Sequence, residues 1–157
     1  MATSIYMKAT GAKSGEIKGS VQVADRKDLV QLESVSHGVM IPWSITQGAI
    51  QGGGHHQSEV SVSCVTDKSL VPLINASTNS EEFTKVEFDF YNRDATGAEE
   101  IFLTTTIERA HISSINWGMS AGSPSDSFGL SFHFGKISFL WKDGSLKAED
   151  DILTPNA

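Results

Sequence analysis

Phe128-Gly129-Leu130-Ser131-Phe132-His133-Phe134-Gly135-Lys136-Ile137-Ser138-Phe139-Leu140-Trp141 decides the fold class. Phe128, Leu130, Phe132 and Phe134 occupy every second position, and so do Ile137, Phe139 and Trp141. An extended chain points alternate side chains to opposite faces, so each series reads as a half-buried strand. The two series are out of phase across Gly135. One extra residue at a glycine returns the apolar positions to the same face, which predicts a β-bulge or sharp bend there.

The same period recurs outward from this stretch. Val86, Phe88 and Phe90 form one series, and Ile101, Leu103, Thr105 and Ile107 another. Val60 and Val62 alternate with serines and continue into Cys64, and a slip between Leu32 and Val35 interrupts the run from Leu29 to Ile41. Long strands with kinks within them predict a mainly β fold. We expect one domain over residues 1–157, a β-barrel or sandwich of two curled antiparallel sheets. One short helix is expected to flank it at about 69–78. Ser69 is available to cap it, Pro72 falls in its first turn, and Leu70, Leu73 and Ile74 share a face. Three loops stand out: a turn at Gly11–Gly15, a long glycine-containing segment from Pro42 to Gln57, and a Gly, Ser and Pro-rich one from Ala121 to Ser127. The acidic end, 148–157, reads as a flexible tail.

A chain of 157 residues buries roughly 70% of its unfolded surface as one domain, so neither disulfides nor a metal is needed to hold it. The lone Cys64 has no partner in the chain and reads as a small buried apolar residue. Nineteen acidic against 12 basic residues give a net charge of -7. The lysines are scattered singly, which disfavours nucleic acid and anionic membranes as partners. No stretch has the length of a membrane span, and the N-terminus lacks the apolar run of a signal peptide.

Chemistry has few footholds. Gly118-Met119-Ser120-Ala121-Gly122 matches the G-x-S-x-G nucleophile elbow, but that chemistry requires a helix after the serine, and the sequence continues into a strand. A hydrolase would pair Ser120 with His111 or His133. His55 and His56 are adjacent, so on an extended chain they point apart, and no zinc-type spacing is present. Gly52-Gly53-Gly54 lacks the G-K-[ST] of a phosphate loop. Glu81-Glu82 and Glu99-Glu100 beside predicted turns read as solvated edges. No metal, cofactor or catalytic residue is expected. Inward aromatics such as Phe88 and Phe132 leave open a monomeric barrel that binds a small apolar ligand.

The order of elements resembles the haemolysin-coregulated protein (Hcp) family, the tube proteins of bacterial type VI secretion. The resemblance runs from Ile17-Lys18-Gly19-Ser20-Val21-Gln22-Val23-Ala24-Asp25-Arg26, through Met40-Ile41-Pro42 and the long loop, to Thr66-Asp67-Lys68-Ser69 opening the helix, and ends at Phe132 to Gly144. Pro72 stands one position later than the family commonly has it.

The resemblance implies a barrel that closes into a homo-hexameric ring, with rings stacking into a tube driven by a sheath and capped by spike and baseplate proteins. Effectors ride in the lumen, and neither cofactor nor catalysis is involved. It also implies a protein made in the bacterial cytoplasm and exported without a cleaved signal peptide. A phage-type tail tube subunit is the neighbouring possibility. The long loop, through Gln47, Gly48, Gln51, Gly53, His55 and His56, is the expected contact to the next subunit or ring.

Overall fold

The computed structural model describes residues 2–46, 49–52, 54–123 and 126–152. Strands β1 (Ser4–Gly11), β2 (Gly15–Ile17), β3 (Val30–Ser36), β4 (Val39–Met40), β5 (Trp43–Thr46), β6 (Ala49–Gly52), β7 (His56–Gln57) and β8 (Val60–Val65) precede helix α1 (Leu70–Thr78). Strands β9 (Phe83–Arg93), β10 (Glu99–Trp117), β11 (Ser127–His133), β12 (Lys136–Trp141) and β13 (Leu146–Asp151) follow it. Where period two is strongest, one series is buried as expected: Val60, Val62 and Cys64 on β8, and Phe128, Leu130 and Phe132 on β11.

Those buried faces close on one another. β10, β11, β8, β3, β1 and β9 pair in that order, and β9 returns to β10, so a single antiparallel sheet closes into a barrel. Closure needs the 19-residue β10, which pairs with β11 over 111–117 and with β12 over 103–108. Between these two partners the chain breaks at Phe134–Gly135, where Gly135 N donates to Glu108 O at 3.1 Å. The bend expected at Gly135 is thus the point where the chain leaves the barrel and starts a wing, β12–β13. The slip expected between Leu32 and Val35 is a register shift of β3 against β8 at Leu32/Ser34. A second shift at Ile101/Leu103 leaves Phe102 bulged on β10.

The barrel interior is filled with side chains. Phe132 lies edge-on to Phe83 at 5.9 Å and to Phe88 at 6.3 Å, and these rings with Phe128 are at most 1% exposed. α1 adds Leu70, Leu73 and Ala76 to the same core, while Val71 faces solvent.

Three expectations are corrected. Ser69 stands at the helix N-cap, but its hydroxyl accepts no helix N–H and instead donates to the Asp67 carboxylate. A charged acceptor is the stronger partner, and Asp67 also accepts from Ser69 N (2.8 Å) and Ser20 N (3.0 Å). The tail expected from residue 148 begins as ordered strand, since β13 pairs with β12 from Lys136↔Asp151 to Trp141↔Leu146. An edge strand needs a ladder partner but no apolar face, and Arg109 holds Asp151 at 2.8 Å. Residues 153–157 lie outside the described ones. The Pro42–Gln57 segment, read as a loop, contains its own ladder, β5 with β6, and its end β7 pairs with β4 just ahead of it. A ribbon that satisfies its backbone locally needs no buried alternation, so it leaves little trace in the sequence.

Candidate assembly surface

The segment 38–58 pairs with itself and contributes nothing to the barrel sheet among the described residues. Its neck is closed by Gly38 N donating to Ser58 Oγ and Ser58 N donating to Gly38 O, both at 2.8 Å. On one side of its foot the His37 ring lies against Phe134 (5.9 Å) and Phe139 (5.8 Å). Burial there pushes the His37 pKa down, against a smaller opposing influence of Gln57. On the other side, Asp150 Oδ2 meets His55 Nε2 at 2.6 Å and accepts from Gln57 Nε2 at 3.0 Å. These two contacts hold the Asp150 carboxyl below its usual range.

The expected interface residues are placed as follows. Gln47, Gly48 and Gly53 lie outside the described residues. Gln51 sits on β6 opposite Ser44, and His56 sits on β7 opposite Met40. His55 and His56 do not act together, because His55 turns to Asp150.

The surroundings add features that sequence reasoning missed. Val39, Met40 and Ile41, at 56–64% exposure, form an apolar run at the base of the segment. β13 ends the sheet, and its outer backbone edge is unpaired among the described residues. Leu146, which begins it, is exposed. Asp143-Gly144 was the signal that could have revealed β13, since an Asp-Gly pair after a strand announces a hairpin. Gly144 adopts φ +79 there. At another rim, Trp117 and Met119 are exposed where β10 ends.

The residues that carry the family resemblance prove to be architectural. A Cβ on Gly19 would stand 2.3 Å from Leu29 O, so only glycine fits where the irregular stretch after β2 passes the chain just before β3. The Arg26 guanidinium lies 4.2 Å from the Tyr91 ring centroid and 5.2 Å from that of Tyr6, and it donates to Glu99 at 2.6 Å. Burial works against its charge, but the bonds to Glu99 and Tyr6 prevail and its pKa is raised. Glu99 is therefore the anchor of a buried cation. Glu81 is likewise no solvated edge: it is 7% exposed and accepts from Lys13 N, Ser14 N and Ser14 Oγ. Both corrections share one cause, that a buried charge, Arg26 in one case and Glu81 in the other, is stable with charge-assisted partners where an unpaired one is not.

The candidate nucleophile lies elsewhere. Ser120 is exposed in a turn, and the next element is β11 and not a helix. His111 and His133 are cross-strand partners with stacked rings 5.4 Å apart. Cys64 is fully buried, and burial pushes its thiol up to about 12. Among the described residues no three His, Cys, Asp or Glu side chains cluster as a metal site, and no helix is long and apolar enough to cross a membrane.

Residues 6–141 match the family model described as type VI secretion system effector, Hcp. The chain is 30% identical over 172 aligned positions to the major exported protein of Pseudomonas aeruginosa, an alignment covering 100% of this chain and 99% of that relative. Among solved structures, the secreted protein Hcp3 from Pseudomonas aeruginosa is 27% identical with a TM-score of 0.77, covering 94% of this chain and 98% of that one. A crystal structure of an Hcp protein is 25% identical with a TM-score of 0.86, over 96% and 99% of the two chains. Hcp1 from E. coli EAEC 042, at 23% identity, shares the fold with a TM-score of 0.85, over 96% and 99%.

Proposed function

The chain belongs to the Hcp family of type VI secretion system effectors, and from that premise we propose that it is the structural subunit of the secretion tube. Six copies close into a ring, rings stack, and small effectors travel in the lumen. The single observation that carries this reading is the incomplete state of one copy. Among the described residues the outer edge of β13 has no partner strand, and the segment 38–58, which contributes no strand to the barrel sheet, carries the exposed Val39, Met40 and Ile41.

A closed ring needs two different complementary surfaces on each subunit, joined by a heterologous contact. An unpaired strand edge is one such surface, because a neighbour supplies the missing backbone partners. The self-paired segment, with Gln47, Gly48, Gln51, Gly53, His55 and His56 along it, supplies a contact to the next ring. In this reading the protein is made in the bacterial cytoplasm, passes out through the apparatus without a cleaved signal peptide, and meets sheath, spike and baseplate proteins on the way. Its role is structural and not enzymatic. The rival, a barrel that binds a small apolar ligand, loses its support because Phe83, Phe88, Phe128 and Phe132 fill the interior.

Deleting Gly48–Gly54 tests the stacking half of the proposal. Folded single rings that no longer form tubes are expected; tubes of unchanged length would refute it. Export is tested in the producing bacterium, where removing the contractile sheath should retain the protein in the cell. Equal release with and without the sheath contradicts the proposal.

A further inference from the structure

We propose that Asp150 is a clasp that sets the posture of the segment 38–58 on the barrel, gripping it through His55 and Gln57. Among the described residues the segment contributes no strand to the barrel sheet, so barrel ladder bonds do not fix its orientation. Something else must. His55 and Gln57 are two positions apart on an extended stretch, which brings both side chains to one face. Both meet a single carboxylate oxygen, Asp150 Oδ2, at 2.6 and 3.0 Å.

The clasp is mounted on a rigid element. Asp150 is paired with Ile137 in the β12–β13 ladder, and Ile137 is fully buried. Its neighbour Asp151 is held by Arg109 of β10, and Ile152 N donates to Gly135 O at 2.8 Å. The end of β13 is thus tied down at the two residues that follow Asp150. The Gln57 side chain faces the His37 ring on one side, and on the other its Nε2 donates to Asp150 at 3.0 Å. A cleft of about 480 Å³, lined by Gly54, His55, His56, Gln57, Asp150 and Asp151, runs beside the clasp and leaves room for the segment to swing once it is released. Asp150 is therefore a positioning residue. It acts on the proposed ring contact through the segment and need not touch the next ring. Its consequence for stacking rests on the tube-subunit reading, but the clasp itself does not.

Hydrogen exchange on the intact protein, read on the peptide spanning 54–60, tests it, because Ser58 N closes the neck on Gly38 O. The clasp is partly exposed, so losing it should speed this exchange about fivefold, as expected for two partly exposed side-chain hydrogen bonds to one carboxylate. Asp150→Ala is expected to show that increase while the barrel peptides around Val86 and Ile107 keep their wild-type rates. His55→Ala should show a smaller increase, and adding it to Asp150→Ala should produce nothing further. His55→Gln, which keeps an N–H donor, should restore most of the protection, and Glu149→Ala on the same strand should behave as wild type. Unchanged exchange in Asp150→Ala, additive effects in the double variant, or equal acceleration of the barrel peptides would each overturn the clasp. Tubes of normal length made by a variant with accelerated neck exchange would uphold the clasp and count against the role of the segment in stacking.

Discussion

Removing the Glu81 carboxylate should destabilise the barrel by about 3 kcal/mol, although residues 81–82 look like an acidic turn. Oε1 accepts Lys13 N at 2.7 Å and Ser14 N at 2.6 Å, and Oε2 accepts Ser14 Oγ at 2.8 Å. The Glu81 amide in turn donates to Ala76 O, so the residue joins the end of α1 to the β1–β2 turn. Gly11 makes room for it, since a Cβ there would stand 2.9 Å from Oε1. Hydrogen bonds to a charged group contribute about 1.5–3 kcal/mol each. In Glu81→Ala water can reach the two freed turn amides, so the net loss is nearer one to two such bonds than three. For a chain of this size about 3 kcal/mol lowers Tm by roughly 6–12 °C, measured at one fixed protein concentration because assembly also shifts Tm.

The acid dependence supplies a second readout. Burial alone would raise the Glu81 pKa, but the Ser14 hydroxyl and the Ser14 and Lys13 amides hold it lower. A folded-state value below the unfolded one, about 4.3 for glutamate, means the contribution is complete above that pH and is lost as pH falls through the folded value. Glu81→Gln, which keeps the shape without the charge, should lose about half as much stability and flatten this part of the acid limb. Urea or thermal denaturation followed by circular dichroism between pH 7 and pH 3 measures both. A variant within about 0.5 kcal/mol of wild type, the scale of an ordinary surface substitution, would refute the reasoning, as would an acid limb unchanged in Glu81→Gln.

Other outcomes follow from the same geometry. Phe132→Ala should cost about 3–5 kcal/mol in urea denaturation, because it opens a cavity between Phe83 and Phe88, and a loss under about 1 kcal/mol would contradict the packed interior. Gly19→Ala should cost about 1–3 kcal/mol, since the new Cβ meets a backbone carbonyl that cannot turn aside; full stability would show that the crossing before β3 yields easily. The Cys64 thiol should resist a disulfide reagent at pH 8 in the folded protein and react promptly in denaturant, and rapid labelling of the folded protein would refute its burial.

Strands that bury one face were legible from the sequence. Val60–Cys64 and Phe128–Phe132 carry their fold in a period of two because the core rewards every second residue, and the break at Gly135 was also legible, but beyond it only Ile137 is fully buried and Trp141 is exposed. Helix α1 was legible for the same reason through Leu70 and Leu73. The ribbon β5–β6 and the edge strand β13 were not, since hydrogen bonding to one neighbour asks nothing of side-chain pattern. The anchoring charges escaped for another reason. Glu81 reaches Lys13 across 68 positions, Arg26 reaches Glu99 across 73, and Asp67 reaches Ser20 across 47, distances at which no local spacing rule operates. The segment 38–58 was half legible: its length and glycines mark it in the sequence, but its tether to Asp150 depends on a strand the pattern does not reveal.

The tube-subunit reading is tested most directly by the mass and shape of the purified protein. Size-exclusion chromatography with light scattering, followed by negative-stain imaging of the peak, should return about six times the 16.9 kDa subunit mass and annular particles with an open centre. A monomer mass at every concentration, with no annular particles in the images, would contradict it.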